Sequence, residues 1–195
     1  MRGLVTIDEE TLRRTIENHL ENAEENIREG RRQQALSEFE QAAFLLETEK
    51  AFDQLELLWA HASTGFTAAD APFQAGSSFL QLAQLEEKAG RRKDARDSYL
   101  SAANSFFAVR DKGQEVWMKL TQALERAIEL TITLNDLSMA VELLFKCATI
   151  HHRETGYKFD AINCLERAQQ LLGQLPSHPL KEEISQMLQH LLDQQ

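Results

Sequence analysis

Apolar side chains recur along this chain at steps of three and four residues, and turn residues interrupt the pattern every 19 to 23 positions. Such spacing puts the apolar side chains on one stripe of an α-helix and leaves the opposite face to Glu, Gln, Arg and Asp. The pattern predicts eight helices joined by short turns and a ninth after the segment 176–179. In the segment 31–49 the apolar stripe consists of Ala35, Leu36, Phe39, Ala42, Ala43 and Leu46.

The turn residues indicate where the helices begin and end. A glycine, or less often an asparagine, past the end of a helix supplies a left-handed backbone position. Thr6 with Glu9 is typical of a capping box at the first helix, and Pro72 suits a first helical turn with Asp70 as a candidate cap. The predicted breaks are Gly30, Lys50, Ala71-Pro72, Gly90, Gly113, Asn135-Asp136, Gly156 and Pro176.

Four of the predicted helices share one internal template. Counted from the break, each helix has a small residue at the fifth position and a large apolar residue at the ninth. The twelfth position is alanine in three of the helices and cysteine in the fourth. A small side chain lets a facing helix approach, and repetition of this pattern favours stacked helical pairs. The pair period of about 40 residues exceeds the 34 residues of a tetratricopeptide (TPR) unit. The template positions are Ala35, Phe39 and Ala42; Ala95, Tyr99 and Ala102; Ala140, Leu144 and Cys147; and Ala161, Leu165 and Ala168.

These features predict an all-α protein, a right-handed TPR-like α-solenoid of antiparallel hairpins with eight or nine helices. We expect one domain over residues 1–195, with stacked hairpins at 6–173 and a capping helix at 179–194. The apolar positions of that last helix would also suit self-association, but a cap on a monomer explains them better. They are Ile184, Met187, Leu188, Leu191 and Leu192.

Charge and composition narrow the class of function. The chain has 31 acidic and 21 basic side chains, a formal charge of −10, and no acidic or basic tail. A nucleic-acid-binding protein normally needs a basic face, so nucleic acid is not an expected partner. One basic cluster surrounds Gly90, where a helix end and a solvated turn account for it. No segment reaches the roughly 20 apolar residues of a membrane span, and neither a signal peptide nor a disulfide framework is apparent, so we expect a cytoplasmic protein.

The sequence contains no nucleotide-binding or hydrolase motif, and we expect neither enzymatic activity nor a cofactor. His151 and His152 are adjacent and point about 100° apart on a helix, whereas Glu154 could share a face with His151. We interpret the two histidines as part of a helix C-terminus, and Cys147 and Cys164 as buried structural thiols. A ligand-binding or metal-binding helical bundle remains the less favoured alternative.

From about residue 57 to 172 the chain resembles the soluble NSF attachment protein (SNAP) family. Four segments carry the resemblance, in the order of that family's helices. They are AGSSFLQLA at 75–83, DARDSYLSAANSF at 94–106, LERAIEL at 124–130 and AINCLERA at 161–168. Asp136 and Glu142 stand where the family has basic residues, so the resemblance implies a shortened or diverged member.

The resemblance implies a non-enzymatic adaptor in vesicle trafficking and protein transport. Such proteins grip coiled-coil SNARE bundles through basic residues and recruit the hexameric ATPase NSF, which would bring this protein to membranes through its partners. Lys181 is the one residue that the resemblance places near a family binding position. The residues themselves leave open a generic TPR-like scaffold in a complex unrelated to trafficking.

Overall fold

The computed structural model describes residues 9–194, and these residues form α-helices, one π-helical turn and no β-strand. The all-α solenoid predicted from the sequence is therefore confirmed. The elements are α1 (Glu9–Arg28), α2 (Arg32–Thr48), α3 (Phe52–Ala68), α4 (Pro72–Lys88), α5 (Arg92–Ala108), α6 (Gln114–Thr133), α7 (Leu137–Ile150), the π-helical turn (His151–Thr155), α8 (Lys158–Leu172) and α9 (Lys181–Asp193).

Short turns in one repeated conformation connect most of these helices. A single residue with positive φ ends the helix, and the backbone N–H of the next residue returns to a carbonyl five positions earlier, as from Arg91 to Glu86 at 2.9 Å. This is the Schellman arrangement, and the residue that donates the bond also begins the following helix. Helices α2 to α5 each have 17 residues. The positive-φ residues are Gly30, Lys50, Asp70, Gly90, Asn135 and Gly156.

The small–large–small template occupies the helix interfaces. All twelve predicted positions are between 0 and 4% exposed. In α3 the fifth, ninth and twelfth positions after Lys50 are buried as well, although Leu55 replaces the small residue at the first of them and Trp59 and Ala62 follow. The buried side chains form one cluster within α1 to α4 and another from α4 to α9, and Phe79 packs against both. The template therefore marks the core of the stack.

Polar contacts join every second helix and so define two layers. Among the odd-numbered helices, His61 of α3 lies 3.2 Å from Glu24 of α1, and Lys146 of α7 donates to Asn104 of α5 at 3.0 Å. Among the even-numbered helices, the ammonium of Lys119 in α6 lies 4.9 Å from the ring centroid of Phe73 in α4. Odd helices thus lie beside odd helices and even beside even, as expected for stacked antiparallel hairpins.

Some local predictions differ from the structure. Asp70 does not cap α4, because Asp70 itself takes the left-handed position and Ala71 becomes the N-cap, with Pro72 at the first helical position. Gly113 does not follow a helix end directly. It is the N-cap of α6, with φ −72°, after a loop that begins at Val109. Thr6 of the predicted capping box lies outside the described residues.

The end of the seventh helix also differs from the prediction. The α-helix stops at Ile150, and a π-helical turn continues from His151 to Thr155 before the left-handed Gly156. The sequence placed His151 at the C-terminus of an α-helix, but it is buried, at 5% exposed, and begins this π-helical turn. After the next helix, α9 packs Ile184, Leu188 and Leu191 onto the core.

The Phe106 ring of α5 packs tightly against α4 at Gly76. A Cβ atom at this position would lie 2.9 Å from ring atoms of Phe106, whose side chain is completely buried. We predict that Gly76→Ala lowers the free energy of unfolding by about 1–3 kcal/mol, because the ring has no free space to move into. Urea unfolding followed by circular dichroism measures this change.

Gly65→Ala is the matched control, since Gly65 also lies within a helix. Its new Cβ would meet only the flexible end of Ile27, at 3.2 Å, and alanine gains helix propensity. We expect unchanged or increased stability. Equal losses in the two variants would contradict the role given to the Gly76–Phe106 contact.

Two adjacent glutamates of α4 make opposite contributions to stability. Glu86 is 7% exposed, and its Oε2 has no hydrogen-bond partner. Burial raises the pKa of its carboxyl, and only the Ser98 hydroxyl and Arg91 partly offset that. Glu87 accepts a hydrogen bond of 2.9 Å from the Tyr99 hydroxyl and pairs with Arg126. Burial and the bond to Glu87 raise the pKa of Tyr99 to about 12.

We predict that Glu86→Gln stabilises the protein by about 1 kcal/mol at pH 7, because it removes a buried charge with an unsatisfied oxygen. A raised carboxyl pKa means that the folded protein binds this proton more tightly, so the ionised group costs stability above that pKa. The advantage of the variant should therefore shrink as the pH falls through the raised pKa towards the ordinary glutamate range. Glu87→Gln should instead destabilise the protein, because it removes the charge that pairs with Arg126. Urea unfolding curves at pH 7 and pH 5 measure the stability of both variants. A loss of stability in Glu86→Gln at pH 7 would contradict the prediction.

Candidate functional site

Because the helices are antiparallel, alternate turns lie at opposite edges of the stack. We call the edge with the turns at Lys50, Gly90 and Asn135 the Gly90 edge. The edge with the turns at Gly30, Asp70 and Gly156 is called the Gly30 edge. A surface groove lies at each edge.

The Gly90-edge groove combines apolar and charged side chains. It has a volume of about 570 Å³ and lies between the start of α3 and the α4–α5 turn. Phe52 is 57% exposed beside it, and the half-buried Leu85 supplies a second apolar wall. The lining residues are Phe52, Asp53, Glu56, Leu85, Lys88, Ala89 and Arg91.

The cations at this edge divide into paired and unpaired groups. Arg91 forms a two-pronged ion pair with Glu56, which ties the α4–α5 turn to α3. Arg96 likewise binds the carboxylate of Asp97 and lies 3.7 Å from Asp136. Among the residues that the structure describes, no acid pairs with three further cations, all of them exposed. These are Lys88, Arg92 and Lys93.

The sequence showed the basic cluster around Gly90, but it did not show which of the cations form ion pairs. The sequence predicted a solvated turn, and Lys88 does lie in the last turn of α4. The ion pairs across α3, α5 and the start of α7 depend on helix stacking and could not be read from spacing. What remains is a group of three unpaired cations on either side of Gly90, with Lys88 lining the same groove as Phe52, on a chain with a net charge of −10.

The Gly30-edge groove has a volume of about 640 Å³ but balanced charges. Arg32 and Arg110 line it together with Asp70 and Asp111, along with Pro72 and the loop after α5. Opposite charges within one groove cancel at a distance. The Gly90-edge groove has the same formal balance, with Asp53 and Glu56 against Lys88 and Arg91. What distinguishes that edge is the presence of two further unpaired cations just outside the groove lining, Arg92 and Lys93.

Lys181, the site residue that the sequence predicted, is exposed at the first position of α9. Glu182 and Glu183 share its helical turn. Its backbone carbonyl accepts a hydrogen bond of 3.0 Å from the Ser185 hydroxyl. No described element brings Lys181 into either groove, so it would act as a separate contact.

A different cluster lies inside the stack, between α7 and α8. The sulfurs of Cys147 and Cys164 and a ring nitrogen of His151 all lie within 4.8 Å of one another. The three residues are 0, 6 and 5% exposed, respectively. The sequence analysis treated His151 with Glu154 and the cysteines separately. The missed signal was the four-residue step from Cys147 to His151, which places both on one helical face.

The two thiols of this cluster influence each other. A hydrogen bond to Cys164 and burial raise the pKa of the Cys147 thiol. The same bond lowers the pKa of Cys164, and Arg167 acts in the same direction. Nδ1 of His151 is buried and has no hydrogen-bond partner. Two thiols and an imidazole are donors that thiophilic metal ions prefer.

No helix among the described residues is long and apolar enough to span a bilayer.

Comparison with known proteins identifies the family but adds little detail. Two crystal structures of a Podosopora anserina protein named for a kinesin light chain, with nearly identical TPR-like repeats, resemble the fold. The first is 13% identical and covers 92% of this chain and 95% of that one, with a TM-score of 0.48. The second, of a variant of that protein, is 14% identical and covers 95% and 97%, with a TM-score of 0.47. No curated protein matches the chain.

The sequence match to a family covers more of the chain than the four segments that first suggested the resemblance. Residues 21–191 match the family described as "Soluble NSF attachment protein, SNAP". This match extends over the C-terminal part of α1, all of α2 to α8 and most of α9. With the TPR-like helical architecture, it supports a helical scaffold for protein interactions. The chain belongs to the soluble NSF attachment protein family.

Proposed function

We propose that the protein is a non-enzymatic adaptor that binds an acidic, helical segment of a partner protein at the Gly90-edge groove. One observation carries the proposal: the unpaired Lys88 lines the groove together with the exposed Phe52 and the half-buried Leu85, and the unpaired Arg92 and Lys93 follow at the start of α5. An amphipathic helix presents apolar and charged side chains on adjoining strips, which suits such a surface. Complementary charge raises the rate of encounter and selects acidic partners.

The partner that we propose first is a coiled-coil bundle of the SNARE type. Membership of the family supports this choice, since members grip acidic coiled coils through basic residues. Within this proposal, the protein also recruits an NSF-type ATPase, and Lys181 on α9 provides a second basic contact. The protein would be monomeric and cytoplasmic, and its partners would bring it to the membrane surface.

A second candidate is a scaffold in a complex unrelated to trafficking. The acids at Asp136 and Glu142 favour it, because the family has basic residues at those positions. Asp136 also draws Arg96 towards itself, at 3.7 Å. This candidate uses the same groove but a different acidic helix.

We predict that Lys88→Glu, Arg92→Glu and Lys93→Glu together weaken binding of an assembled SNARE-type bundle by at least about tenfold, or roughly 1.4 kcal/mol. Wild-type binding should itself weaken as salt screens these charges. Fluorescence anisotropy with a labelled bundle, at low and physiological ionic strength, measures both effects.

The matched control is the triple variant Arg14→Glu, Arg110→Glu and Arg153→Glu. These three arginines are exposed on other parts of the stack, and the change in net charge is the same. It should retain most of the affinity. Equal losses in the two triple variants, or binding that does not respond to salt, would contradict the groove as the site.

Two further binding experiments distinguish the trafficking adaptor from the unrelated scaffold. Addition of an NSF-type ATPase to the complex tests recruitment, and Lys181→Glu should weaken either that step or the binding of the bundle. A single acidic amphipathic peptide tests the second candidate. Binding of this peptide, but not of the bundle, with the same sensitivity to the Lys88 triple variant would replace the trafficking proposal by the scaffold.

A further inference from the structure

We propose that Cys147, Cys164 and His151 form a buried site for one thiophilic metal ion, Zn²⁺ or Cu⁺, between α7 and α8. This inference is independent of the proposed partner, because the cluster lies within the stack and does not line the Gly90-edge groove. Its first support is the convergence of three soft donors from two helices.

The three ligand atoms are already close to the separation that a bound metal ion requires. All three ligand atoms lie within 4.8 Å of one another. Two donors on one zinc ion, at about 2.0–2.3 Å from the metal, lie roughly 3.5–4 Å apart. Inward shifts of about 1 Å would therefore complete the site, which side-chain rotation can provide.

The unpartnered histidine nitrogen is an independent observation. Nδ1 of His151 is buried without a hydrogen bond, although buried polar atoms in proteins are nearly always satisfied. The side chain is 5% exposed, so solvent reaches little of it. Leaving such a nitrogen without a partner costs stability, and coordination of a metal ion is one way to remove that cost.

The backbone changes from an α-helix to a π-helical turn at His151. His151 begins the π-helical turn, and its carbonyl accepts bonds from Thr155 and Tyr157 that close the turn before Gly156. The His151 ring also lies 6.4 Å from the ring of Tyr157. An extra residue in a helical turn shifts the following side chains, and such π-helical segments occur frequently at functional sites.

Charge favours zinc over copper in this position. Binding releases the proton of each thiol, so two thiolates and one Zn²⁺ sum to zero, whereas two thiolates and Cu⁺ leave one negative charge. A neutral site costs less to bury than a charged one. Three protein donors leave the fourth position of Zn²⁺ for a solvent molecule or a small anion. The ion would then join α7 to α8 in the same way as a covalent link.

The test uses the full chain, freed of metal with a chelator and kept reduced with a phosphine. Zn²⁺, Cu⁺ and Mg²⁺ are titrated separately by calorimetry, and Co²⁺ serves as a spectroscopic substitute for zinc. We expect one Zn²⁺ or Cu⁺ per chain, no binding of Mg²⁺, and release of two protons per ion. The cobalt-loaded wild-type protein should show thiolate-to-cobalt charge transfer.

The variants are Cys147→Ser, Cys164→Ser and His151→Gln, with His152→Gln as the matched control one residue away. Losing a thiolate should weaken affinity by more than the about 10- to 100-fold typical of residues that only hydrogen-bond to a metal ligand. His152→Gln should bind as the wild type does. Zinc should also raise the unfolding temperature of the wild type and of His152→Gln, but not of the cysteine variants.

Three results would overturn the proposal. These are no binding of either thiophilic ion by the wild type, binding that the cysteine variants retain, and a Cys147–Cys164 disulfide that persists under the phosphine. The wild-type cobalt spectrum needs no substitution, so it decides the question even if a core variant fails to fold. Binding of Cu⁺ alone would support the site and correct its preferred ion.

Discussion

Close approach of neighbouring helices is the constraint on which the rest of the structure depends. After four of the turns, the fifth position is a buried alanine and the twelfth is a buried alanine or Cys147, and large side chains between them fill the groove of the facing helix. The packing is so tight at Gly76 that a single added carbon atom would collide with the ring of Phe106. The turns support this packing, because each Schellman bond sets the end of one helix and the start of the next within two residues.

The surface follows from the same constraint. Short turns put the ends of alternate helices at one edge, so that cations of the α4–α5 turn and of α5 meet acids of α3 and of the start of α7. Arg91 and Arg96 are used in these ion pairs, and Lys88, Arg92 and Lys93 are not. Three unpaired cations thus lie at this edge of an acidic protein, with Lys88 in the same groove as Phe52. In the core, the same stacking places Cys164 of α8 close to Cys147 of α7 and to His151 of the π-helical turn.

Most of the fold could be predicted from sequence because its signals are local. The turn residues Gly30, Gly90, Asn135 and Gly156 have positive φ, and the offsets counted from them identify the buried positions. Three local predictions differ from the structure. Asp70 takes the left-handed position itself instead of capping α4, Gly113 is the N-cap of α6 after a loop, and a π-helical turn replaces the end of the seventh α-helix. Neither the pairing of Arg91 with Glu56 nor the meeting of Cys147 with Cys164 leaves a signal in spacing, because each joins two helices through tertiary packing.

The central claim is that the Gly90 edge is the surface that binds a partner. Hydrogen–deuterium exchange of the full chain, alone and with an assembled SNARE-type bundle, tests this most directly, because it reports on every backbone amide without any substitution. The account predicts that protection on binding is concentrated at the end of α4, the turn at Gly90 and the starts of α3 and α5. Protection confined to the Gly30 edge or to α9, with none around Gly90, would contradict it.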